Sequence, residues 1–217
     1  MEETKLVIFD VDGTLLDSEK DITDAMNKML AHRGYPLITS EEMRTFLGES
    51  TEGVTRLSLK KDVGEEEFKK CVDEYVSNYM GGGSPKTKPY AGIAEAISEI
   101  KARGYKVAVL SNKPQVEIDR IKDRLIVPLG IEKIVGASSQ IPLKPDPYGA
   151  KCVMEKHGAK PENTFFVGDG ETDVMTAING GMKCVAVLWG NRDREFLSKF
   201  GATVFAEKPA DLLDIIK

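Results

Sequence analysis

Two carboxylates separated by a single residue, Asp10 and Asp12, directly follow the apolar run Leu6-Val7-Ile8-Phe9. A short continuous apolar run of this kind suits a buried strand, whose carboxyl end would deliver both acids to one place. Two unpaired carboxylates in a small space are costly to hold unless a cation joins them. Ligands of open α/β sheets gather outside the carboxyl ends of the strands, so the pair points to metal-assisted chemistry. Three other segments could join it. Ser111-Asn112-Lys113-Pro114 follows the apolar Val107–Leu110 and combines a hydroxyl with the amides of a helix N-terminus, an anion site. Lys144-Pro145-Asp146-Pro147 sets a lysine among prolines whose restricted backbone would aim it reproducibly. Gly168–Asp173 follows Phe165-Phe166-Val167 and adds Asp169 and Asp173. Carboxylate oxygens suit Mg²⁺, a hard ion that takes one or two carboxylates together with a substrate phosphate.

For these loops to meet, their strands must be parallel and share an edge. From residue 85 onward, short β-rich runs at Tyr105–Leu110, Ile134–Val135, Phe165–Val167, Cys184–Leu188 and Thr203–Phe205 alternate with amphipathic segments. That alternation predicts an α/β fold, a Rossmann-like parallel sheet flanked by helices. Between Leu15 and Gly83 it is missing. Ile22, Ala25, Met26, Met29 and Leu30 recur at helical spacing, Ser18 with Asp21 and Thr39 with Glu42 read as helix starts, and helical runs cover about 51–61 and 65–80. The chain therefore divides into an α/β core, 1–17 and 85–217, and an inserted all-helical cap, 18–84. Gly81-Gly82-Gly83-Ser84 reads as a flexible tether, and the cap would hinge near Asp17 and Gly82.

Composition removes several function classes. The 217 residues hold 30 Lys plus Arg against 35 Asp plus Glu, a formal charge of −5, and no basic run or arm, so nucleic acid is not an expected partner. No apolar stretch is long enough to cross a membrane, and no targeting segment opens the sequence. Cys71, Cys152 and Cys184 are widely spaced and read as reduced core residues, which places the protein in the cytoplasm. The two histidines, His32 and His157, fall near predicted helix C-termini, where solvent and the helix dipole account for them. Lys113 reads as a solvated side chain. An EF-hand fails because the sixth position is Leu15 when counted from Asp10 and Val174 when counted from Asp169. A dinucleotide fingerprint fails because its last glycine position holds Asp173.

Taken in order, Asp10-Val11-Asp12-Gly13-Thr14, Ser111, Lys144 and Gly168-Asp169 with Asp173 resemble the four motifs of the haloacid dehalogenase superfamily. Lys88–Gly92, Leu110–Pro114, Gly181-Met182 and Trp189-Gly190 resemble its phosphoglycolate phosphatase-like branch, which carries a helical cap after the first motif. The resemblance spans nearly the whole chain and implies roles. Asp10 would be the nucleophile that forms an aspartyl-phosphate, and Asp12 the acid and base. Mg²⁺ would bind Asp10, the backbone carbonyl of Asp12, Asp169 and Asp173, the last directly or through water. Ser111, Asn112 and Lys144 would hold the phosphoryl group. Gly170 and Gly180 depart from the serine and alanine usual in relatives, and neither removes an acid.

The function so implied is Mg²⁺-dependent hydrolysis of a small phosphate monoester of the phosphoglycolate kind, by a monomer or homodimer. The alternatives are a sugar phosphomutase of the β-phosphoglucomutase type and a pyrophosphatase. Mutases of this superfamily place a histidine five positions beyond the acid matching Asp17, where this chain has Ile22. Substrate choice is expected to lie in the cap. Arg44 would favour a second anionic group on the substrate, and Glu49 a polyol or sugar.

Overall fold

The computed structural model describes residues 3–217. Six strands, β1 (Thr4–Phe9), β4 (Lys106–Pro114), β5 (Lys133–Ala137), β6 (Ala159–Gly168), β7 (Lys183–Val187) and β8 (Phe205–Ala206), form one sheet in the order β5-β4-β1-β6-β7-β8. Every pairing within it is parallel, as the alternation of runs predicts. The strands are apolar on both faces, and successive residues feed different cores. Val7, Phe9, Val109, Val167 and Val187 pack with α5 (Ile93–Ala102) and α6 (Gln115–Leu125), whereas Leu6, Ile8, Leu110 and Phe166 pack with α7 (Tyr148–His157) and α8 (Glu171–Asn179). Two short helices, α9 (Arg194–Lys199) and α10 (Leu212–Ile215), complete the chain.

Between β1 and α5 the chain leaves the sheet through a two-stranded antiparallel ribbon, β2 (Leu16–Asp17) with β3 (Lys88–Pro89). The residues between them form α1 (Glu19–His32), α2 (Ser40–Phe46), α3 (Thr51–Leu59) and α4 (Glu65–Gly82). These helices enclose a core of their own that includes Ile22, Met26, Met29, Leu30, Met43, Phe68, Cys71 and Tyr75. Arg33 pins α1 to α4 by ion pairs of 2.9 Å to Glu67 and 2.7 Å to Glu74. Thr39 and Glu42 cap α2 reciprocally, at 3.1 Å from the Glu42 N–H to the Thr39 hydroxyl and 2.9 Å from the Thr39 N–H to the Glu42 carboxylate. Removing that hydroxyl in Thr39→Ala is expected to cost about 1 kcal/mol and to lower the melting temperature by about 2–4 °C, which calorimetry would register.

Two local expectations are corrected. Ser18 stands at the start of α1 but makes no side-chain cap; its hydroxyl donates to Asp12 instead. Its neighbour Asp21 ties the block to the returning chain, accepting from the Lys86 N–H at 3.0 Å, the Thr87 N–H at 2.6 Å and the Thr87 hydroxyl at 2.5 Å. Gly81 and Gly82 are not a tether, since α4 runs through them and stops at Gly83, whose φ of +69° is left-handed. A glycine string can end a helix as readily as it can loosen a chain, and composition alone does not separate the two.

Candidate active site

Because β4, β1 and β6 are neighbours and parallel, the loops after them open at one edge. The Asp10 N–H still donates to the Val167 carbonyl at 3.0 Å, which holds the acid at the strand end. There Asp10, Asp169 and Asp173, all buried, bring carboxylate oxygens within 4.8 Å of one another. The Lys144 ammonium lies between two of them, 2.7 Å from Asp10 and 2.5 Å from Asp173. Asp169 is oriented by the Thr14 hydroxyl at 3.1 Å and by the backbone and side-chain amides of Asn191, each at 2.8 Å. Asp173 accepts from the Gly170 N–H at 2.9 Å. Gly13, with φ of +83°, and Gly190 press against the Asp169 carboxylate, and a methyl group at either position would strike it.

The electrostatics follow from burial. Desolvation, with Asp173 and Asp12 beside it, raises the Asp10 carboxyl to about 6 although Lys144 pulls it down. Asp169 is pushed up to about 7 by burial and then by Asp173 and Asp10, against the donors Asn191 and Thr14. Burial alone would lower the Lys144 ammonium, but Asp10 and Asp173 hold it above its ordinary value. Three buried acids face one ammonium, and the excess negative charge is what a divalent cation would neutralise. An all-oxygen donor set of carboxylates matches Mg²⁺.

Asp12, next to Asp10 but not one of the three clustered acids, has partners of its own. It accepts from the Ser18 hydroxyl at 2.5 Å and pairs with Lys113 at 3.1 Å. Lys113 is buried, with Glu117 3.8 Å away and the Tyr79 ring centre 4.5 Å away. Its expected solvated state is thus corrected: Asp12, an acid 101 positions away, claims it.

A match to the family model for haloacid dehalogenase-like hydrolases runs over residues 7–187, the span that holds all of these groups. The chain belongs to the haloacid dehalogenase-like hydrolases. It is an enzyme of the phosphatase type within them. Phosphoglycolate phosphatase 1 of Pseudomonas aeruginosa is 30% identical over 214 residues, covering 96% of this chain and 78% of that one. A phosphoglycolate phosphatase of Aquifex aeolicus is 31% identical over 186 residues, covering 86% and 85%. Among solved structures, a predicted phosphoglycolate phosphatase from Haemophilus somnus superposes with a TM-score of 0.88 at 25% identity, over 100% of both chains.

In this hydrolase the pocket beside Asp10 and Asp12 is walled by both parts of the chain. Ser111, Lys113, Glu117 and Lys144 line it from the sheet side, and Ile22, Glu49, Thr51 and Tyr75 from the helical block. Its free space is about 40 Å³. Glu49 lines the pocket, whereas Arg44 is exposed and does not line it. The Asn112 carboxamide is committed to backbone: it donates to the Gly48 and Lys144 carbonyls at 3.0 and 3.1 Å and accepts from the Lys144 N–H at 2.7 Å. That bracket sets the Lys144 loop and joins it to the block. Arg192 makes a second joint. It pairs with Glu171 at 3.1 Å and donates to the carbonyls of Arg44, Thr45 and Leu47 at the end of α2. Asn191 and Arg192 carried no pattern of their own in the sequence, since each acts on a partner distant in the chain. The described helices include none long and apolar enough to cross a membrane.

Proposed function

We propose that the protein is a Mg²⁺-dependent phosphomonoesterase that transfers the phosphoryl group of a small metabolite to Asp10 and then to water. The observation that carries this reading is the buried cluster of Asp10, Asp169 and Asp173 bridged by Lys144, with Asp12 two residues from the attacking acid. An Asp10 carboxylate oxygen attacks phosphorus, the bond to the alcohol oxygen breaks, and Asp12 gives that oxygen its proton. Asp12 then takes a proton from the water that attacks phosphorus, the bond from phosphorus to the Asp10 oxygen breaks, and inorganic phosphate leaves with the Asp10 carboxylate restored. Asp10, Asp169 and Asp173, with the backbone carbonyl of Asp12, would hold Mg²⁺, which when bound screens the carboxylates from the phosphate dianion. Lys144 and Ser111 hold the phosphoryl oxygens. Asn112 serves by fixing the Lys144 backbone.

Residues 18–84 act as a cap over the core formed by 1–17 and 85–217, turning at the β2–β3 ribbon. The free space beside Asp10 and Asp12 is about 40 Å³, confined on one side by the helical block. The substrate alcohol is accordingly small, or the cap lifts to admit it. The names of the relatives make 2-phosphoglycolate the first ester to assay, and cytoplasmic metabolism the expected setting. A mutase is not favoured, because Ile22 presents hydrocarbon to the pocket where such an enzyme needs a proton carrier. A panel of phosphate esters assayed with Mg²⁺ and with EDTA tests the reading. Phosphate release only with the metal is expected; isomerised sugar phosphate without free phosphate would overturn it.

A further inference from the structure

The pocket has two cations on its walls, Lys144 and Lys113, and both are already matched. Lys144 is spent on Asp10 and Asp173. Lys113, on the leaving-group side next to Asp12, is paired with Asp12 and also faces Glu117. Glu117 is itself buried and is held by the Thr51 hydroxyl at 3.2 Å, a hydrogen bond that joins α6 to the helical block. Glu49 adds another carboxylate at the pocket. Arginines of the block do not change this balance. Arg56 lies over the Phe68 ring at 3.9 Å and near Glu65, and Arg44 is exposed outside the pocket. The rest of the wall on this side is hydrocarbon from Ile22, Leu47 and Val54, with the hydroxyl-bearing side chains Thr51 and Tyr75.

Where Asp12 must act, one ammonium thus faces Asp12 and Glu117, and Glu49 adds a further carboxylate to the pocket wall. A carboxylate on the leaving alcohol would enter a space with no unmatched cation among the described residues, against acids and apolar surface, and like-charge juxtaposition in a desolvated pocket is strongly selective. We propose that the leaving-group subsite selects a small neutral or amino-bearing alcohol and rejects a carboxylate-bearing one, with Glu117 as the specificity-determining residue because it sets a second carboxylate beside Lys113. This rests on the phosphatase reading above and narrows it away from the glycolate ester that the relatives' names suggest.

The test compares kcat/KM of the Mg²⁺-loaded enzyme for 2-phosphoglycolate, glycerol 3-phosphate and phosphoethanolamine, in the wild type and in Glu117→Gln. The wild type is expected to prefer the two esters without a carboxylate by about tenfold or more. Glu117→Gln, by removing one of the two carboxylates that Lys113 faces, is expected to raise the relative efficiency of 2-phosphoglycolate by about tenfold, chiefly through KM. Glu49→Gln, at an exposed position where folding is not at stake, is expected to shift the same ratio in the same direction by a smaller factor. Asp10-dependent hydrolysis in which 2-phosphoglycolate is the preferred ester, or a ratio that neither variant moves, overturns this inference and leaves the phosphatase reading standing. Failure to hydrolyse any ester overturns both.

Discussion

Asp10→Asn is expected to lower kcat/KM by about 10⁴-fold or more, equivalent to about 5 kcal/mol of transition-state stabilisation. An amide has nearly the shape of the carboxylate but cannot form the acyl phosphate, so the covalent step has no nucleophile. The same substitution takes one charge out of the buried cluster. In EDTA the variant is therefore expected to be at least as stable as the wild type, a result opposite to that of most changes at a buried residue. Steady-state assays with Mg²⁺ and thermal melts without it give the two readouts. Residual turnover within about tenfold of wild type would remove Asp10 from the mechanism.

In the metal-free protein, stability is expected to fall as pH rises from 4 to 7. Asp10 and Asp169 have folded-state values raised from 3.8 to about 6 and about 7, with burial the largest cause for each. Across this window the folded protein holds protons that the unfolded chain has already released. Their contribution is thus complete below pH 4 and is lost as pH climbs through 6 to 7, a change on the order of a few kcal/mol for the cluster as a unit. Glu117, raised mainly by burial, acts in the same direction. His157, lowered by burial and by Lys106, Lys133 and Lys156, acts in the opposite one. Lys144, raised by its carboxylates, keeps its proton throughout the window and adds no slope there. Mg²⁺ requires the same acids deprotonated, so its stabilising effect should grow with pH and flatten the decline. Denaturant titrations at several pH values, with EDTA and with Mg²⁺, check both arms. A metal-free stability that is level or rises over this range would show that the three acids do not share a desolvated site.

Much of the fold was legible because it depends on short-range pattern. Leu6–Phe9, Val107–Leu110 and Phe165–Val167 are apolar runs of strand length, and in the structure they are the three central strands β1, β4 and β6. Met26, Met29 and Leu30 repeat at helical spacing and lie in the core of the helical block. Thr39 with Glu42 is a local capping signal that needs nothing beyond four residues. Ser18 with Asp21 carries the same signal, yet both side chains find better partners elsewhere, in Asp12 and in the Lys86–Thr87 backbone. Local propensity proposes such contacts, and tertiary neighbours can outbid it.

The site divides along the same line. Residue types and their order along the sequence determined that acids, a lysine and a hydroxyl stand at the ends of successive strands, because parallel strands put their carboxyl ends on one edge. Only the tertiary structure decided how charges pair within that edge. Lys144 goes to Asp10 and Asp173, while Lys113 crosses to Asp12 and is buried with Glu117. Asn191 and Arg192 reach the site from the loop after β7 to orient Asp169 and to clasp the end of α2. The physical reason is that an ion pair or hydrogen bond depends on distances of a few ångströms between residues tens to more than a hundred positions apart, and no periodicity along the chain encodes such a distance.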